Sequence, residues 1–206
     1  MRPATFRSAT PAGRAHTAVL AVLAALAATL LWTPPAAAQE PGTRPAGPSI
    51  LLLNGLGVST LNAGIGLNPL ARRLWQDGYQ VTVDSHTMVR SAGMAPDVII
   101  GHSMGGVAAL RYAARLVAGG APEPVVITID AAPAAPPCLV RRCYAIRGAG
   151  FAPVPGAVNI TARALGARAS SHLRLPTDPA VETYIMERAV GGPPPAVLSS
   201  GFFAYD

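Results

Sequence analysis

The sequence predicts an α/β domain with a mostly parallel sheet of about five strands and helices on both faces. Short, continuously apolar runs alternate along the chain with longer segments of helical periodicity, which is typical of α/β folds. Continuous rather than alternating apolar runs indicate parallel strands that are covered on both faces. In addition, a Gly-x-Ser-x-Gly pattern joins one of these runs directly to a helix.

The first 38 residues are predicted to be a secretory signal peptide that lies outside the fold. Arg2, Arg7 and Arg14 precede an apolar run at 18–32, and Ala-Ala-Ala at 36–38 fits a small-residue cleavage site. The run is shorter than the roughly 20 residues of a comfortable membrane span, and a Pro-Pro pair follows it. We therefore expect a periplasmic or extracellular protein with no stable membrane span after cleavage, a retained anchor being the alternative.

The remaining chain is long enough for one domain with a real core. We expect a flexible leader at 39–48, the folded domain at 49–190 and a Pro/Gly-rich tail at 191–206. Without the leader arginines, 13 basic residues stand against 10 acidic ones, so the net charge is +3. No arginine cluster is dense enough to predict a nucleic-acid partner, and the expected state is a monomer.

Cys138 and Cys143 are the two cysteines of the chain. In an exported protein two cysteines this close together predict a local disulfide. A metal site is the weaker interpretation, because no histidine lies near them in the sequence. We expect neither a metal nor a cofactor.

The predicted elements run in the order strand, helix, strand, strand, helix, strand, strand, helix. The first helix shows an N-cap residue, Asn68, then Pro69, and Gly78 at its end. Residues 131–156 show little periodicity and are expected to cover part of the site. The predicted strands are 49–53, 79–83, 97–100, 124–129 and 157–161, and the predicted helices are 68–78, 106–119 and 178–190.

The Gly101-His102-Ser103-Met104-Gly105 stretch is the most informative pattern of the chain. Because a strand precedes it and a helix follows it, the pattern predicts a sharp, strained turn that exposes the Ser103 hydroxyl above the sheet. Ser103 would also lie at a helix N-terminus, where free N–H groups favour negative charge. We therefore predict that Ser103 is a nucleophile for acyl transfer.

A serine nucleophile needs a base, and the mature chain contains three histidines. In enzymes with this kind of elbow the triad follows the order Ser, acid, His, and His172 alone satisfies that order. His102 adjoins the serine and is expected to pack beside the turn. His86, after the second predicted strand, is a distant second candidate.

Glu123 and Asp130 are the two carboxylates between Ser103 and His172. Glu123 precedes the fourth predicted strand, whereas Asp130 follows it and so lies at the carboxyl edge, where open α/β sheets bind ligands. Asp130 is therefore the predicted acid, and Asp84 is the second candidate. For the oxyanion we predict the N–H groups of Met104 and Leu56.

The 101–106 motif and the strand–turn–helix context resemble small secreted α/β-hydrolases of the lipase, esterase and thioesterase superfamily. The resemblance covers residues from about 50 to 190 and implies a serine esterase that acts on a small-molecule or lipid ester. Two departures stand out. The family often has His-Gly where this chain has Asn54-Gly55, and its acid usually follows the next strand along from the one before Asp130. The leading antiparallel strands of full-size members are also absent, which implies a minimal sheet.

Two other functions remain as alternatives. A nucleotide-binding domain is suggested by Gly55-Leu56-Gly57 after a strand and by Asp84 at the end of the next one, but the third glycine is missing. A non-catalytic binding protein on a hydrolase fold is the other alternative, because fold does not fix function. The presence of Ser103 and His172 in order favours the enzyme.

Overall fold

The computed structural model describes residues 47–59, 62, 64–169 and 171–191. The predicted signal peptide, most of the leader and nearly all of the C-terminal tail lie outside these residues, so their boundaries stay predictions. No helix in the described part of the chain is long and apolar enough to cross a membrane.

A six-stranded, all-parallel sheet forms the centre of the domain, so the predicted α/β class is confirmed with one strand more than expected. The strands lie in the order β2-β1-β3-β4-β5-β6 across the sheet. Their bounds are β1 Ser49–Asn54, β2 Gln80–Ser85, β3 Val98–His102, β4 Val125–Ile129, β5 Cys143–Arg147 and β6 Val158–Thr161. Ser103 directly follows β3 and Asp130 directly follows β4, two neighbouring strands at the middle of the sheet.

Helices cover both faces of the sheet. Because successive side chains of a strand point to opposite faces, Leu52 packs on one side and its neighbours Leu51 and Leu53 pack on the other. Helices α1 (Asn68–Gln76) and α3 (Pro179–Val190) cover the Leu52 face, and α2 (Met104–Ala118) covers the other. The central strands β1, β3 and β4 are almost wholly buried, as their continuous apolar sequences predict.

Strand β5 is the element that the sequence does not predict. It lies inside residues 131–156, which were expected to be irregular, and two α-helix-free connections, 130–142 and 148–157, join it to its neighbours. A disulfide between Cys138 and Cys143 ties the first connection to the start of β5. The first connection contributes Cys138 and Val140 to the same buried cluster as α2, so it covers part of this face of the sheet, as a helix would.

Helix α1 begins differently from the prediction. The residue before the helix, Leu67, caps it without a side-chain hydrogen bond, and Asn68 is already helical. The Asn68 side chain instead donates to the carbonyl oxygens of Ser59 (2.9 Å) and Asn62 (2.5 Å). It therefore holds the loop between β1 and α1 rather than capping the helix.

Candidate active site

Ser103 lies on a strained turn between β3 and α2. Its backbone has φ 57° and ψ −125°, a region in which a residue other than glycine costs of the order of 1–3 kcal/mol. The Ser103 N–H donates to the carbonyl of Ile129 at 2.9 Å, and the Ser103 carbonyl accepts from Gly106 N at 2.9 Å. These bonds hold the turn, and the Ser103 hydroxyl makes no capping bond to the helix.

Glycines around the turn are required by close backbone packing. A Cβ on Gly105 would overlap the carbonyl of Leu53, and one on Gly101 would overlap the carbonyl of Gly105. A Cβ on Gly106 would lie 2.9 Å from the Cβ of Ala131. The elbow can therefore form only with very small residues at these positions, which is the physical content of the sequence pattern.

Asp130 follows β4 and is almost completely buried, with 1% of its surface exposed. Its Oδ1 accepts a hydrogen bond from the backbone N–H of Gly148 at 2.6 Å, directly after β5. Its Oδ2 lies 3.0 Å from Nδ1 of His172. Asp130 also has a positive φ, 48°, so two consecutive strands end in strained residues at the same edge of the sheet.

The His172 imidazole is held on three sides. Nδ1 contacts Asp130, the ring stacks on Phe151 with centroids 4.9 Å apart, and the ring of His102 lies 4.5 Å away on a tilted plane. Because an ionised carboxylate can only accept, Nδ1 of His172 must donate to Asp130. In the neutral imidazole Nε2 then carries the free lone pair that a general base needs.

His102 is fully buried beside this pair, as expected for packing next to the turn. Its Nε2 lies 3.0 Å from the backbone carbonyl of His172, so Nε2 carries the proton and donates. Burial, followed by repulsion from His172, lowers the pKa of His102 to about 4. At neutral pH His102 is therefore uncharged, and its Nδ1 is a buried acceptor without a partner in the described chain.

Among the described residues no hydrogen bond joins the side chains of Ser103 and His172. The recorded link between them runs through His102, which precedes Ser103 and binds the His172 carbonyl. Catalytic hydrogen bonds are often long in ligand-free sites and tighten when substrate binds. The structure thus brings the predicted acid and base into contact, and the Ser103 hydroxyl forms no hydrogen bond among the described residues.

The loop after β1 lies against the serine. A Cβ on Gly55 would lie 2.7 Å from the Ser103 Cβ and 3.2 Å from its Oγ, and Leu56 comes next in the chain. Within the described residues, neither the N–H of Leu56 nor that of Met104 donates a hydrogen bond. The two predicted oxyanion donors are therefore unpaired among the described residues, and their role stays a prediction.

Buried asparagines support that loop. Asn54 Nδ2 donates to Asn68 Oδ1 at 2.8 Å, and Asn54 Oδ1 accepts from Leu67 N at 2.9 Å. In the α/β-hydrolases that the sequence resembles, histidine often stands at the position of Asn54. Here its amide ties the end of β1 to the start of α1, so it fixes both ends of the loop that carries Leu56.

The alternative candidates for the acid and the base lie away from Asp130 and His172. Asp84 is a buried residue near the end of β2, the edge strand, and its Oδ2 accepts from the backbone N–H groups of Arg90 (2.8 Å) and Ser91 (2.9 Å) and from the Ser91 hydroxyl (2.8 Å). Burial would raise the pKa of Asp84, but these hydrogen bonds outweigh it and lower the pKa. His86 follows the same edge strand, and Glu123 precedes β4 and pairs with Arg141 at 2.6 Å. None of the three contacts His172 or Asp130.

Asp178 was predicted only to open the last helix. Its Oδ1 caps α3 through Ala180 N at 2.9 Å, and its Oδ2 accepts from the N–H groups of Arg168 (2.7 Å) and Ala169 (2.8 Å). Burial would raise the pKa of Asp178, but the backbone hydrogen bonds outweigh it and lower the pKa. This carboxylate therefore closes the loop that carries His172.

Sequence reasoning did not identify Gly148 and Phe151 as parts of the site. Both follow β5, and recognition of that strand would have placed Gly148 at the carboxyl edge beside Asp130. The stacking of Phe151 on His172 joins two loops that are distant in sequence, and no local pattern signals it.

The structure does not favour a phosphate site at Gly55-Leu56-Gly57. A dinucleotide loop runs directly into a helix whose N-terminus faces the phosphates. Here α1 begins only at Asn68, and Gly55 packs against Ser103 instead. Among the described residues no group of three or more His, Cys, Asp or Glu side chains could hold a metal ion.

Comparison with known proteins adds no relative: no family model, no curated protein and no solved structure matches this chain. A function must therefore be argued from the geometry of the described residues alone.

Proposed function

We propose that this protein is a serine hydrolase that cleaves a carboxylic ester or thioester through an acyl-enzyme intermediate. The observation that carries the proposal is the hydrogen bond between Asp130 and Nδ1 of His172, at the sheet edge where Ser103 occupies a strained elbow. A buried acid, an imidazole oriented by it and an unengaged hydroxyl nearby are the parts that nucleophilic acyl transfer requires.

In the first half of the reaction, Ser103 Oγ attacks the acyl carbonyl and His172 Nε2 accepts the hydroxyl proton. Asp130 stabilises the imidazolium that forms and keeps Nδ1 protonated. His102 stays neutral because its pKa is about 4, so it adds no positive charge that would oppose protonation of His172. The imidazolium then donates its proton to the leaving oxygen or sulfur, which departs.

In the second half, water attacks the acyl group on Ser103 and His172 again accepts the proton. Both tetrahedral intermediates carry a negative oxygen. The N–H groups of Met104 and Leu56 stabilise it, helped by the N-terminus of α2, which begins at Met104. Removing one such donor typically costs 10²–10³ in kcat.

The proposal includes export to an oxidising compartment. The disulfide between Cys138 and Cys143 supports this, since such bonds persist outside the reducing cytosol. The predicted signal peptide supports it independently from the sequence.

A fluorophosphonate probe and a p-nitrophenyl ester series from acetate to octanoate test the function on purified mature protein. We expect wild type to be labelled and to turn over esters, and Ser103→Ala to do neither. Ser171→Ala is the matched control, because Ser171 is the exposed serine directly before His172. Labelling that survives Ser103→Ala, or a well-folded wild type that neither reacts nor turns over esters, would leave a non-catalytic binding protein as the better proposal.

A further inference from the structure

A cavity of about 630 Å³ opens beside His172 and Asp130. Its apolar wall includes Phe151 and Leu175, and three arginines also line it: Arg147, Arg163 and Arg168. Asp130 is the one carboxylate among the lining residues, and both of its oxygens are already engaged by His172 and Gly148. The cavity therefore combines an apolar surface with an excess of positive charge.

The described residues do not neutralise the three guanidinium groups. None of them forms an ion pair with a carboxylate in the described part of the chain. Arg147 donates one hydrogen bond, from Nη1 to the Phe151 carbonyl at 2.9 Å, and its buried Nε has no acceptor among the described residues. Asp178 binds the backbone N–H of Arg168 rather than its guanidinium. Donors that can bind a carboxylate in a bidentate manner thus remain available.

The position of the cavity indicates which end of the substrate it receives. His172 must donate a proton to the leaving oxygen, so the leaving group has to lie next to the imidazole. The cavity borders His172, and Ser103 is not among its lining residues. A cavity that borders the base but not the nucleophile fits the leaving group better than the acyl group of the proposed reaction.

From this placement we propose that the site is specific for esters whose alcohol portion carries an anionic group, such as a carboxylate, bound by Arg147, Arg163 and Arg168. The inference rests on the proposed hydrolase function and adds the substrate class to it. An anion bound there would be attracted by three guanidinium groups that have no carboxylate partner among the described residues.

Two esters that differ only in charge at the relevant position test the proposal: 4-acetoxybenzoate and its methyl ester. Hydrolysis of the first releases acetate and 4-hydroxybenzoate. After each kcat/KM is divided by the rate constant for hydroxide-catalysed hydrolysis, we expect the anionic ester to be favoured about tenfold, which corresponds to about 1.4 kcal/mol. The double variant Arg163→Gln/Arg168→Gln removes two exposed charges and should abolish this preference.

Arg111→Gln/Arg115→Gln is the matched control, because it removes the same charge from exposed positions on α2 and should keep the preference. Equal turnover of the two esters by wild type would overturn the substrate class while leaving the hydrolase proposal intact. A preference that persists in Arg163→Gln/Arg168→Gln would also overturn it, because the charge would then be recognised elsewhere.

A binding measurement keeps the proposal testable if neither ester is hydrolysed. Calorimetry with 4-hydroxybenzoate and its methyl ester, on Ser103→Ala, should show about tenfold tighter binding of the anion, and this difference should vanish when the two arginines are also replaced. Equal binding of the two compounds would refute the inference independently of any activity.

Discussion

Replacing Asp130 by asparagine should change the tautomer of His172, the proposed base, and leave the fold intact. The side chain is 1% exposed and makes two hydrogen bonds, to Gly148 N and to His172 Nδ1. Asparagine has the same shape, and its carbonyl oxygen can still accept from Gly148. Its NH₂ group then faces Nδ1 of His172, so Nδ1 must become the acceptor and Nε2 must carry the proton.

That tautomer cannot accept the proton of Ser103. In a serine hydrolase triad the corresponding change lowers kcat on the order of 10⁴-fold, while the oxyanion donors and substrate binding remain. We expect a loss of that size for Asp130→Asn in steady-state hydrolysis of a p-nitrophenyl ester. The free energy of unfolding should fall by no more than about 1–3 kcal/mol, the usual cost of a weakened buried hydrogen bond to a charged group.

Asp84→Asn is the matched control, because Asp84 is also a buried carboxylate near the carboxyl edge of the sheet, within β2. It accepts bonds from Ser85, Arg90 and Ser91 and none from a histidine. Its replacement should therefore cost stability of similar size but leave kcat within about tenfold of wild type. The reasoning is refuted if Asp84→Asn is the crippling change and Asp130→Asn is nearly silent.

Three further outcomes follow from the geometry of the site. His102→Asn should flatten the pH dependence of the free energy of unfolding, because the pKa of His102 is about 4 in the folded protein and 6.5 in the unfolded reference. As pH falls from 6.5 to 4 the unfolded chain binds the proton first, so wild type loses on the order of 3 kcal/mol of stability that the variant keeps. Urea unfolding of both proteins over this pH range measures the difference. Gly55→Ala should lower kcat about 100-fold or more, because the new Cβ would displace the Ser103 side chain. The control Gly64→Ala, whose Cβ would have only ordinary contacts, should not lower kcat, and equal kcat values for the two variants would contradict the assigned loop position. Mass spectrometry without reductant should find Cys138 and Cys143 linked, and free thiols in exported material would argue against the disulfide. Replacing both cysteines by serine should lower the free energy of unfolding by about 2 kcal/mol.

The sequence predicts the buried centre of the sheet well, because β1, β3 and β4 are continuous apolar runs with clear ends. Strand β5 was missed because it is short, begins with Cys143 and ends with Arg147, and has prolines on both sides of it in the chain. Its pairing with β4 and β6 stabilises it, and a local pattern does not report such long-range pairing. Asn68 was misjudged as a cap for the same reason: its partners lie in the preceding loop and at the end of β1.

For the site, chain order and strand ends are enough to select Asp130 and His172. The structure places Asp130 Oδ2 3.0 Å from His172 Nδ1. The catalytic roles of these residues, and of Ser103, Met104 and Leu56, stay predictions. What the sequence could not supply is the packing around them. The contacts of His102 and Phe151 with the imidazole join loops far apart in the chain, and no periodicity or spacing encodes them.

The hydrogen bonds of the Asp178 carboxylate bear on the order in which the parts of the proposed site form during folding. One side chain both begins α3 and closes the loop before His172. The elbow, by contrast, is built from β1, β3, β4 and α2, all of which precede β5 in the chain. A growing or partly folded chain can therefore assemble the serine turn early. Its proposed base has no fixed position until the final helix docks, so under the proposed function the chain would gain hydrolytic competence in the last step of folding.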